Sequence, residues 1–432
     1  MKGDMFDRRK VALRVLFGML VLSIACIFIK NLFEEWSFSS YQISEFLINY
    51  SGGFVRRGLL GEILLWFTRV TGVDVVWTIK VISVVCCVSV VWFFTVMFRR
   101  KGYPLYLIPL CFFCGGIVMS EVWIRKDFLM FCCFIPVLWI YGRTGLPLVV
   151  KVLLINLITV FMILTHEVFG LFTLPALFFL LYKSVKERGL PVAGSALLAA
   201  VSLLPSVIAF VMVTGVHGNG ETAQIIWDSW CAVSGIEQSP LPGNNALAFL
   251  DSSGTETFRW HFGINFLREE HYLLPVWYWL AVVFTVYYIS TNAALVFRKS
   301  PEAYTADDRL TFAAVWSFQF LCLLPMFIGL SIDYIRIFFY LTASSFALFL
   351  IIPKETLKGL FPTFWLNGIN RLNLHLDRLL PPNRTVVTLL MLTVGISYSG
   401  FVLKTIWMST ALYRIFLLLS EPFLLLRDYV LQ

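Results

Sequence analysis

Residues 41–67 have the sequence YQISEFLINYSGGFVRRGLLGEILLWF, which is too polar to cross a bilayer and too apolar to be a loop. Apolar residues at i, i+3, i+4 and i+7 predict one face of a helix, formed by Ile43, Phe46, Leu47 and Tyr50. The segment Ser51–Gly53 interrupts this pattern. A second helix of the same kind then begins, with Leu60, Ile63, Leu64 and Phe67 on its apolar face. We predict two helices that lie on a membrane surface.

Two arginines, Arg56 and Arg57, directly precede the second of these helices. Positive charge at a helix N-terminus opposes the helix dipole and costs about 0.3–1 kcal/mol for each exposed residue. A bound anion would reverse this effect, because the free backbone N–H groups and both guanidinium groups would point at it. The sequence therefore predicts an anion site between the two helices.

The composition indicates a membrane protein. Of the 432 residues, 59% are hydrophobic and 14% are charged, whereas a soluble domain carries about 25% charged residues. Apolar runs of about 20 residues recur along the chain, and each is a candidate span. We expect an all-α polytopic membrane protein of about 11 spans (10–12), folded as a single membrane domain over residues 1–432. The net charge of +8 is scattered among loops, so it does not indicate nucleic-acid binding.

Basic residues at the ends of the apolar runs predict the orientation. Lys2, Arg8, Arg9 and Lys10 place the N-terminus in the cytoplasm, and every even-numbered span ends at Lys or Arg. The predicted spans lie at about 11–33, 75–97, 104–120, 128–141, 146–165, 168–182, 191–214, 273–297, 310–330, 337–352 and 386–403. The outer loop 34–72 then carries the two interfacial helices, 215–272 is a long non-cytoplasmic loop, and 353–385 is a cytoplasmic loop. Residues 411–431 form either an amphipathic helix or a twelfth span.

This topology brings the unusual ionisable residues to the outer side of the membrane. They are Glu34, Glu35, Glu45, Arg56, Arg57, Glu62, Glu121, Arg125, Lys126, Asp127, His166, Glu167, Asp333 and Arg336. Ionisable groups at such depth are costly and usually functional. Acidic and basic residues around one outer cavity suit an anionic lipid-linked substrate, because Arg and Lys hold phosphate while a carboxylate acts as a base.

The chemistry assigns roles to these residues. The base must lie at the level of the lipid headgroups, where Glu34 and Glu35 leave the first span, so these two are the catalytic candidates; Asp127 and Glu167 are rivals at the same depth. The predicted phosphate-binding residues are Arg56, Arg57, Arg125, Lys126 and Arg336. The predicted supporting residues are Asp127, His166, Glu167 and Asp333.

Each assignment has a structural alternative. The two glutamates can mark a solvated helix end, and the arginine pair can reach lipid headgroups. The group Arg125–Asp127 can be an internal salt-bridge network, and His166–Glu167 can fix a helix turn. Asp333 and Arg336 are spaced as an i,i+3 helical pair.

No motif assigns a cofactor. The chain has no P-loop, no GxGxxG that opens a helix after a strand, no HExxH and no Asp-x-Asp. Its nine cysteines show no metal-ligand spacing, so cofactors are unknown and a divalent metal stays open. Without a nucleotide-sugar motif, we expect a sugar donor on the outer side to be lipid-linked.

Four motifs carry a resemblance to known membrane proteins: FVRRGLLGE (54–62), IRKDFLMF (124–131), LTHEVF (164–169) and DYIRIF (333–338). With the predicted layout, they resemble the GT-C class of glycosyltransferases and the O-antigen polymerase-like proteins of bacterial surface-polysaccharide clusters. The resemblance implies a polyprenyl-phosphate sugar as donor, an active site on the periplasmic face of the inner membrane, and a catalytic carboxylate in the first outer loop, here Glu34 or Glu35.

Three other functions compete with a transferase. One is a non-catalytic scaffold for a polysaccharide assembly complex, which would not need clustered outer arginines and carboxylates. A polymerase that joins lipid-linked repeat units needs the same cavity, and the sequence does not separate it from a transferase. A transporter or flippase of lipid-linked glycans is expected to place charges at the bilayer midplane on repeated, broken helices. The charges here gather at one face, which favours an enzyme. In each case the partners are the bilayer and a polyprenyl-linked glycan.

Overall fold

The computed structural model describes residues 40–103, 124–234, 240–242, 245–250, 252–266, 274–298, 300–331, 333–396, 408 and 410–431, with part of 11–36. Throughout these ranges the chain forms helices joined by turns, and one isolated antiparallel bridge joins Gly395 to Thr410. The prediction of an all-α protein is confirmed over this part of the chain. Helices suit a chain this apolar because each one satisfies its own backbone hydrogen bonds in lipid.

The helices are labelled α1 to α17 in chain order. They are α1 Tyr41–Leu47, α2 Gly58–Thr71, α3 Val75–Lys101, α4 Lys126–Gly142, α5 Leu148–Thr165, α6 Val168–Lys186, α7 Val192–Ser202, α8 Leu204–Gly215, α9 Gly220–Ser234, α10 Gly254–Phe266, α11 Leu274–Phe297, α12 Ala306–Pro325, α13 Tyr334–Ile351, α14 Lys354–Lys358, α15 Thr363–Leu379, α16 Arg384–Thr393 and α17 Ala411–Leu431. Short 3₁₀ turns form at Ala246–Phe249 and Pro301–Ala303, and a π turn, Met326–Leu330, follows α12.

Six helical segments of the described chain are long and apolar enough to cross a membrane. They are Val75–Lys101, Leu148–Thr165, Val168–Lys186, Trp277–Phe297, Pro301–Leu330 and Tyr334–Ile351. The bent pair α7 and α8 is a seventh if it forms one span. These segments coincide with predicted spans 2, 5, 6, 8, 9 and 10, and the bent pair with span 7.

The predicted count of 11 spans goes beyond what these segments show. Predicted span 4 corresponds to α4, which is 17 residues long and is not one of the six segments. The predicted spans at 11–33, 104–120 and 386–403 lie wholly or partly outside the described residues. Residues 411–431 form one helix, α17, which is also not among the six. The higher count therefore stays a prediction.

The bend between α7 and α8 has a local cause. Pro205 lies in the first turn of α8 and has no N–H to continue the hydrogen bonds of α7, and the two helix axes differ by 59°. Asn156 of α5 compensates the break, since its Nδ2 donates to the Ser202 carbonyl at 2.7 Å and its Oδ1 accepts from Ser206 Oγ at 2.6 Å. A broken helix is thereby held by a neighbour, as membrane interiors require.

Helices α1 and α2 pack against each other through two glycines of the FVRRGLLGE motif. An ideal Cβ on Gly61 would lie 2.0 Å from the carbonyl oxygen of Ile48, and one on Gly58 would lie 2.3 Å from the ring of Tyr50. Glu62 adds a hydrogen bond by accepting from the backbone N–H of Tyr50 at 3.2 Å. The glycines of this motif therefore serve the close packing of α2 against α1 and the residues that follow it.

The polar side of α1 does not face solvent. The helix is seven residues long, and Ser44 and Glu45 are buried together with the apolar residues Ile43, Phe46 and Leu47. Ser44 accepts from the N–H of Ala246, so the turn at Ala246–Phe249 covers this side of the helix. Helix α1 is therefore buried on both sides within the protein, and the placement of α1 and α2 on a membrane surface stays a prediction.

We expect Gly61→Ala to lower the stability of the protein by about 1–3 kcal/mol or more, because the added methyl group meets backbone that must move. The measurement is the thermal unfolding midpoint in detergent. Gly142→Ala is the matched control: Gly142 also lies in a helix, but an added Cβ meets nothing within 4 Å. Equal midpoints for the two variants would show that the contact between α1 and α2 is looser than the structure has it.

Candidate functional site

Ionisable side chains from five separate segments meet at one end of the helices. We call this group the charged cluster; it comprises Glu45, Arg57, Arg125, Lys126, Asp127, His166, Glu167, Asp333 and Arg336. Four carboxylates thus face four basic side chains and one histidine. The segments are α1, the start of α2, the start of α4, the junction of α5 and α6, and the start of α13. Buried charges require partners of opposite charge, and here the four carboxylates balance the four basic side chains.

The centre of the charged cluster is a bidentate pair between Arg336 and Asp127. Arg336 Nε lies 3.0 Å from Asp127 Oδ2, and Arg336 Nη2 lies 2.7 Å from Oδ1. The hydroxyl of Tyr340, one turn further along α13, also donates to Asp127. The carboxylate is almost completely buried, so these donors replace the water that it loses. The pair joins α4 to α13.

The second strong pair joins Arg57 to Glu167. Arg57 Nε lies 2.9 Å from Glu167 Oε2, Nη2 lies 2.5 Å from Oε1, and Nη1 lies 3.4 Å from Glu45 Oε1. The anion that the sequence predicted before α2 is thus supplied, for this arginine, by a carboxylate of the protein. Burial alone would lower the pKa of Arg57 and raise that of Glu167; their attraction outweighs burial, so the pKa of Arg57 is raised and that of Glu167 is lowered.

Arg57 is held in a strained backbone conformation. Its φ is +65°, in the left-handed region that non-glycine residues rarely adopt, at the N-cap of α2. Such a residue costs on the order of 1–3 kcal/mol and persists where its surroundings fix it, often at a functional site. Here the two carboxylates that hold the guanidinium group fix it.

Glu45 and His166 form a third contact of the charged cluster, and both are buried. Glu45 Oε1 lies 3.4 Å from His166 Nε2 and 3.7 Å from Arg336 Nη2. Burial raises the pKa of Glu45, but Arg336, His166 and Arg57 together hold it well below its ordinary value. Burial lowers the pKa of His166, whose Nδ1 accepts from the N–H of Val168 at 3.4 Å. At neutral pH this arrangement contains an ionised glutamate and a neutral imidazole.

Three further residues complete the charged cluster. Arg125 Nη1 lies 3.2 Å from Asp333 Oδ2, and Asp333 also caps α13 by accepting from the N–H of Arg336. Burial raises the pKa of Asp333 although both arginines oppose this. Lys126 is fully buried; its Nζ donates to the carbonyl of Thr165 at 3.3 Å and lies 5.8 Å from the ring centroid of Phe46. The lysine is therefore held by a carbonyl and a ring.

Most of the residues that the sequence singled out meet in the charged cluster, but Glu34, one of the two catalytic candidates, does not. Glu34 is exposed, and its carbonyl, with that of Leu32, accepts from Lys80 Nζ at 2.8 Å. Glu35 lies outside the described residues. Arg125 and Asp127 take part in buried ion pairs, as the salt-bridge alternative describes, whereas Glu167 pairs with Arg57 and makes no side-chain cap of α6.

Sequence reasoning missed two residues of this site. Glu45 was named as an outer ionisable residue without a role, yet it contacts both Arg57 and Arg336. Tyr340 was not named at all. The sequence does contain a pattern that indicates Tyr340: it lies four residues after Arg336, and this spacing puts both side chains on one face of a helix.

Arg56 differs from its neighbours because no described carboxylate pairs with it. Its Nη2 donates to the carbonyl of Phe249 at 2.6 Å. Burial and the adjacent charge of Arg57 lower its pKa, and the charge of Glu167 opposes them. A half-buried cation at the edge of a balanced cluster can accept an anion without giving up an existing ion pair.

Among the residues that the structure describes, no three His, Cys, Asp or Glu side chains are grouped as a metal site. Comparison of the chain with protein-family models, with curated proteins and with solved structures found no match. The charged cluster itself is consequently the basis of the functional argument.

Proposed function

We propose that this protein is a membrane glycosyltransferase that uses polyprenyl-linked sugars at the periplasmic face of a bacterial inner membrane, in surface-polysaccharide synthesis. The observation that carries the proposal is the state of Arg56: a cation without a carboxylate partner among the described residues, beside a cluster whose other arginines are paired. The phosphate of a polyprenyl-linked donor is an anion of the right charge, presented at the level of the membrane surface.

Phosphate binding at Arg56 could also activate a general base through the neighbouring pair Arg57–Glu167. A phosphate that engages Arg57 together with Arg56 would compete with Glu167 for the same guanidinium group. The Glu167 carboxylate, which is 16% exposed, would then lose the charge that lowers its pKa and become a stronger base. Donor binding would thereby activate a carboxylate. Glu34 and Glu35 remain the candidates that the first outer loop supplies.

The assay that tests the proposal incubates the purified protein with lipid-linked sugars and follows glycan mass. Addition of a sugar supports the transferase, and doubling of a repeat unit supports the polymerase. If no donor changes mass while vesicles containing the protein move the lipid-linked glycan across the bilayer, the protein is a transporter and the proposal is wrong.

The proposed orientation places the segment that contains α10 outside the cytoplasm. We expect Thr255→Cys, at an exposed position of α10, to react in whole cells with a reagent that does not cross the inner membrane. Ser253 is unsuitable because it exchanges capping hydrogen bonds with Glu256. Thr363→Cys, exposed at the start of α15, should react only after the inner membrane is permeabilised. The opposite pattern would reverse the topology.

We expect Arg56→Ala to abolish transfer while leaving the unfolding midpoint near that of the unmodified protein, because its described partner is one carbonyl. Arg56→Lys should recover activity only in part, since an ammonium group lacks the bidentate geometry of a guanidinium group. Arg69→Ala, at an exposed position of helix α2, is the control and should be fully active. Full activity of Arg56→Lys would reduce the role of Arg56 to that of a point charge or membrane anchor.

A further inference from the structure

An apolar cavity of about 140 Å³ lies among α6, α12, α13 and the segment 357–365. Phe179 on α6 is one of its lining residues, and Glu167 of the charged cluster is twelve residues earlier. At 1.5 Å per residue the cavity is therefore about 18 Å further along α6, away from the charged cluster. The proposed transferase chemistry does not use it.

The lining is aliphatic and aromatic, with residues such as Ala176, Leu348 and Phe361. Apolar cavities of about 150 Å³ stay dry and bind apolar molecules. The helices that form this one, α6, α12 and α13, lie in membrane-span candidates, and Phe179 at its edge is 38% exposed on their outer surface. The apolar material in reach is therefore the hydrocarbon of the bilayer.

Trp365 supplies a polar atom beside this apolar lining. It lines the cavity, and its indole N–H is buried without an acceptor among the described residues. An indole N–H is a donor only, so an unused one marks a place where an acceptor fits. The ester carbonyl of a glycerolipid, which lies between the acyl chain and the head group, is such an acceptor.

Basic residues lie beyond the cavity toward the C-terminal end of α6. Lys183 and Lys186 follow Phe179 at i+4 and i+7, on the same helix face and about 6 and 10 Å further along the axis. Lys183 is engaged by the carbonyl of Glu355 and by Glu187. Lys186 is exposed, and its described contact is the ring of Tyr182. Lysines just beyond a span attract anionic lipid head groups.

We propose that this cavity binds an acyl chain of an anionic phospholipid from the leaflet at the Lys186 end of α6. The chain fills the apolar cavity, an ester carbonyl accepts from Trp365 Nε1, and the phosphate lies at Lys186. The site is separate from the one proposed for the polyprenyl-linked donor, so either proposal can fail alone.

The test is native mass spectrometry of the full-length protein, released into mild detergent from nanodiscs of equal parts phosphatidylglycerol and phosphatidylcholine. We expect a retained phosphatidylglycerol molecule on the unmodified protein. Ala176→Phe fills the cavity and should abolish retention, whereas Ala200→Phe, the same change at an exposed position of α7, should not. Lys186→Gln should retain lipid but lose the preference for phosphatidylglycerol, and Trp365→Phe should weaken retention of both lipids.

Three results would overturn the proposal. One is an unmodified protein that retains no phospholipid, and another is a folded Ala176→Phe protein that retains phosphatidylglycerol as the control does. The third is displacement of the phospholipid by added undecaprenyl phosphate, which would make the cavity part of a carrier-lipid site. If Ala176→Phe does not fold, the other two variants decide. The proposal is wrong if Lys186→Gln and Trp365→Phe both retain phospholipid, and prefer phosphatidylglycerol, as the unmodified protein does.

Discussion

Replacement of Asp127 by Asn is expected to lower the stability of the protein by about 3–5 kcal/mol, because removing one partner of a buried ion pair leaves the other charge uncompensated. The group left behind is Arg336, which makes its bidentate contact with Asp127; its other carboxylate neighbours are more distant, Glu45 at 3.7 Å and Asp333 at 4.0 Å. Asn preserves the size and one acceptor oxygen, so the lost charge causes the effect. The measurement is the unfolding midpoint in detergent, together with the yield of folded protein.

The matched control for this variant is Asp307→Asn. Asp307 also pairs with cations, Lys354 at 2.5 Å and Lys358 at 2.6 Å, but its side chain is 46% exposed. An exposed pair contributes about 0–1 kcal/mol, since water solvates either partner when the other is removed. If the two Asn variants unfold at the same temperature, the charged cluster is open to water and does not hold α4 to α13.

The second large effect concerns the general base. Converting the carboxylate that takes the acceptor proton to the amide is expected to lower turnover by about 10²–10⁴-fold. The contacts favour Glu167, because it is the partly exposed carboxylate next to both arginines of the predicted anion site. We therefore expect this loss in Glu167→Gln, with turnover expressed per folded protein because Arg57 also loses its main partner.

Glu34→Gln and Glu35→Gln provide the comparison. Glu34 is solvent-exposed, and its carbonyl, rather than its carboxylate, makes the contact with Lys80. If either of these variants loses turnover while Glu167→Gln keeps it, the base lies in the first outer loop, as the resemblance to the GT-C class implies. Normal turnover in all three variants would make Asp127 the next candidate for the base. The turnover of Asp127→Asn must then be expressed per folded protein, because this change also lowers stability.

Features that depend on local periodicity could be predicted from the sequence. The apolar pattern from Leu60 onwards gave α2, and Arg56 and Arg57 were placed correctly at its N-terminus. The positive-inside rule grouped Arg125–Asp127, His166 and Asp333 on one side of the membrane, and the structure brings them together. The first of these predictions uses residues within about one helix, whereas the second also needs the alternation of the predicted spans, and the side of the membrane itself stays a prediction.

The partners of these residues could not be predicted. Arg57 pairs with Glu167, 110 residues later, and a helical pattern identifies a face without identifying what covers it. Glu45 shows the same limit: its position on a seven-residue helix indicated a polar face, but the turn at Ala246–Phe249 buries that side. Nothing near Glu45 in the sequence signals that segment.

The long separation between Asp127 and Arg336 also bears on how the protein is made. A ribosome adds Asp127 to the chain 209 residues before it reaches Arg336, so newly inserted Asp127 has neither that arginine nor Tyr340 beside it. Glu167 reaches the membrane early enough to neutralise Arg57, but the bond between α4 and α13 can form only when the later helix arrives. Closure of this end of the helices is thus a late event in biogenesis, and a nascent chain that stops before α13 retains a carboxylate without its counterion.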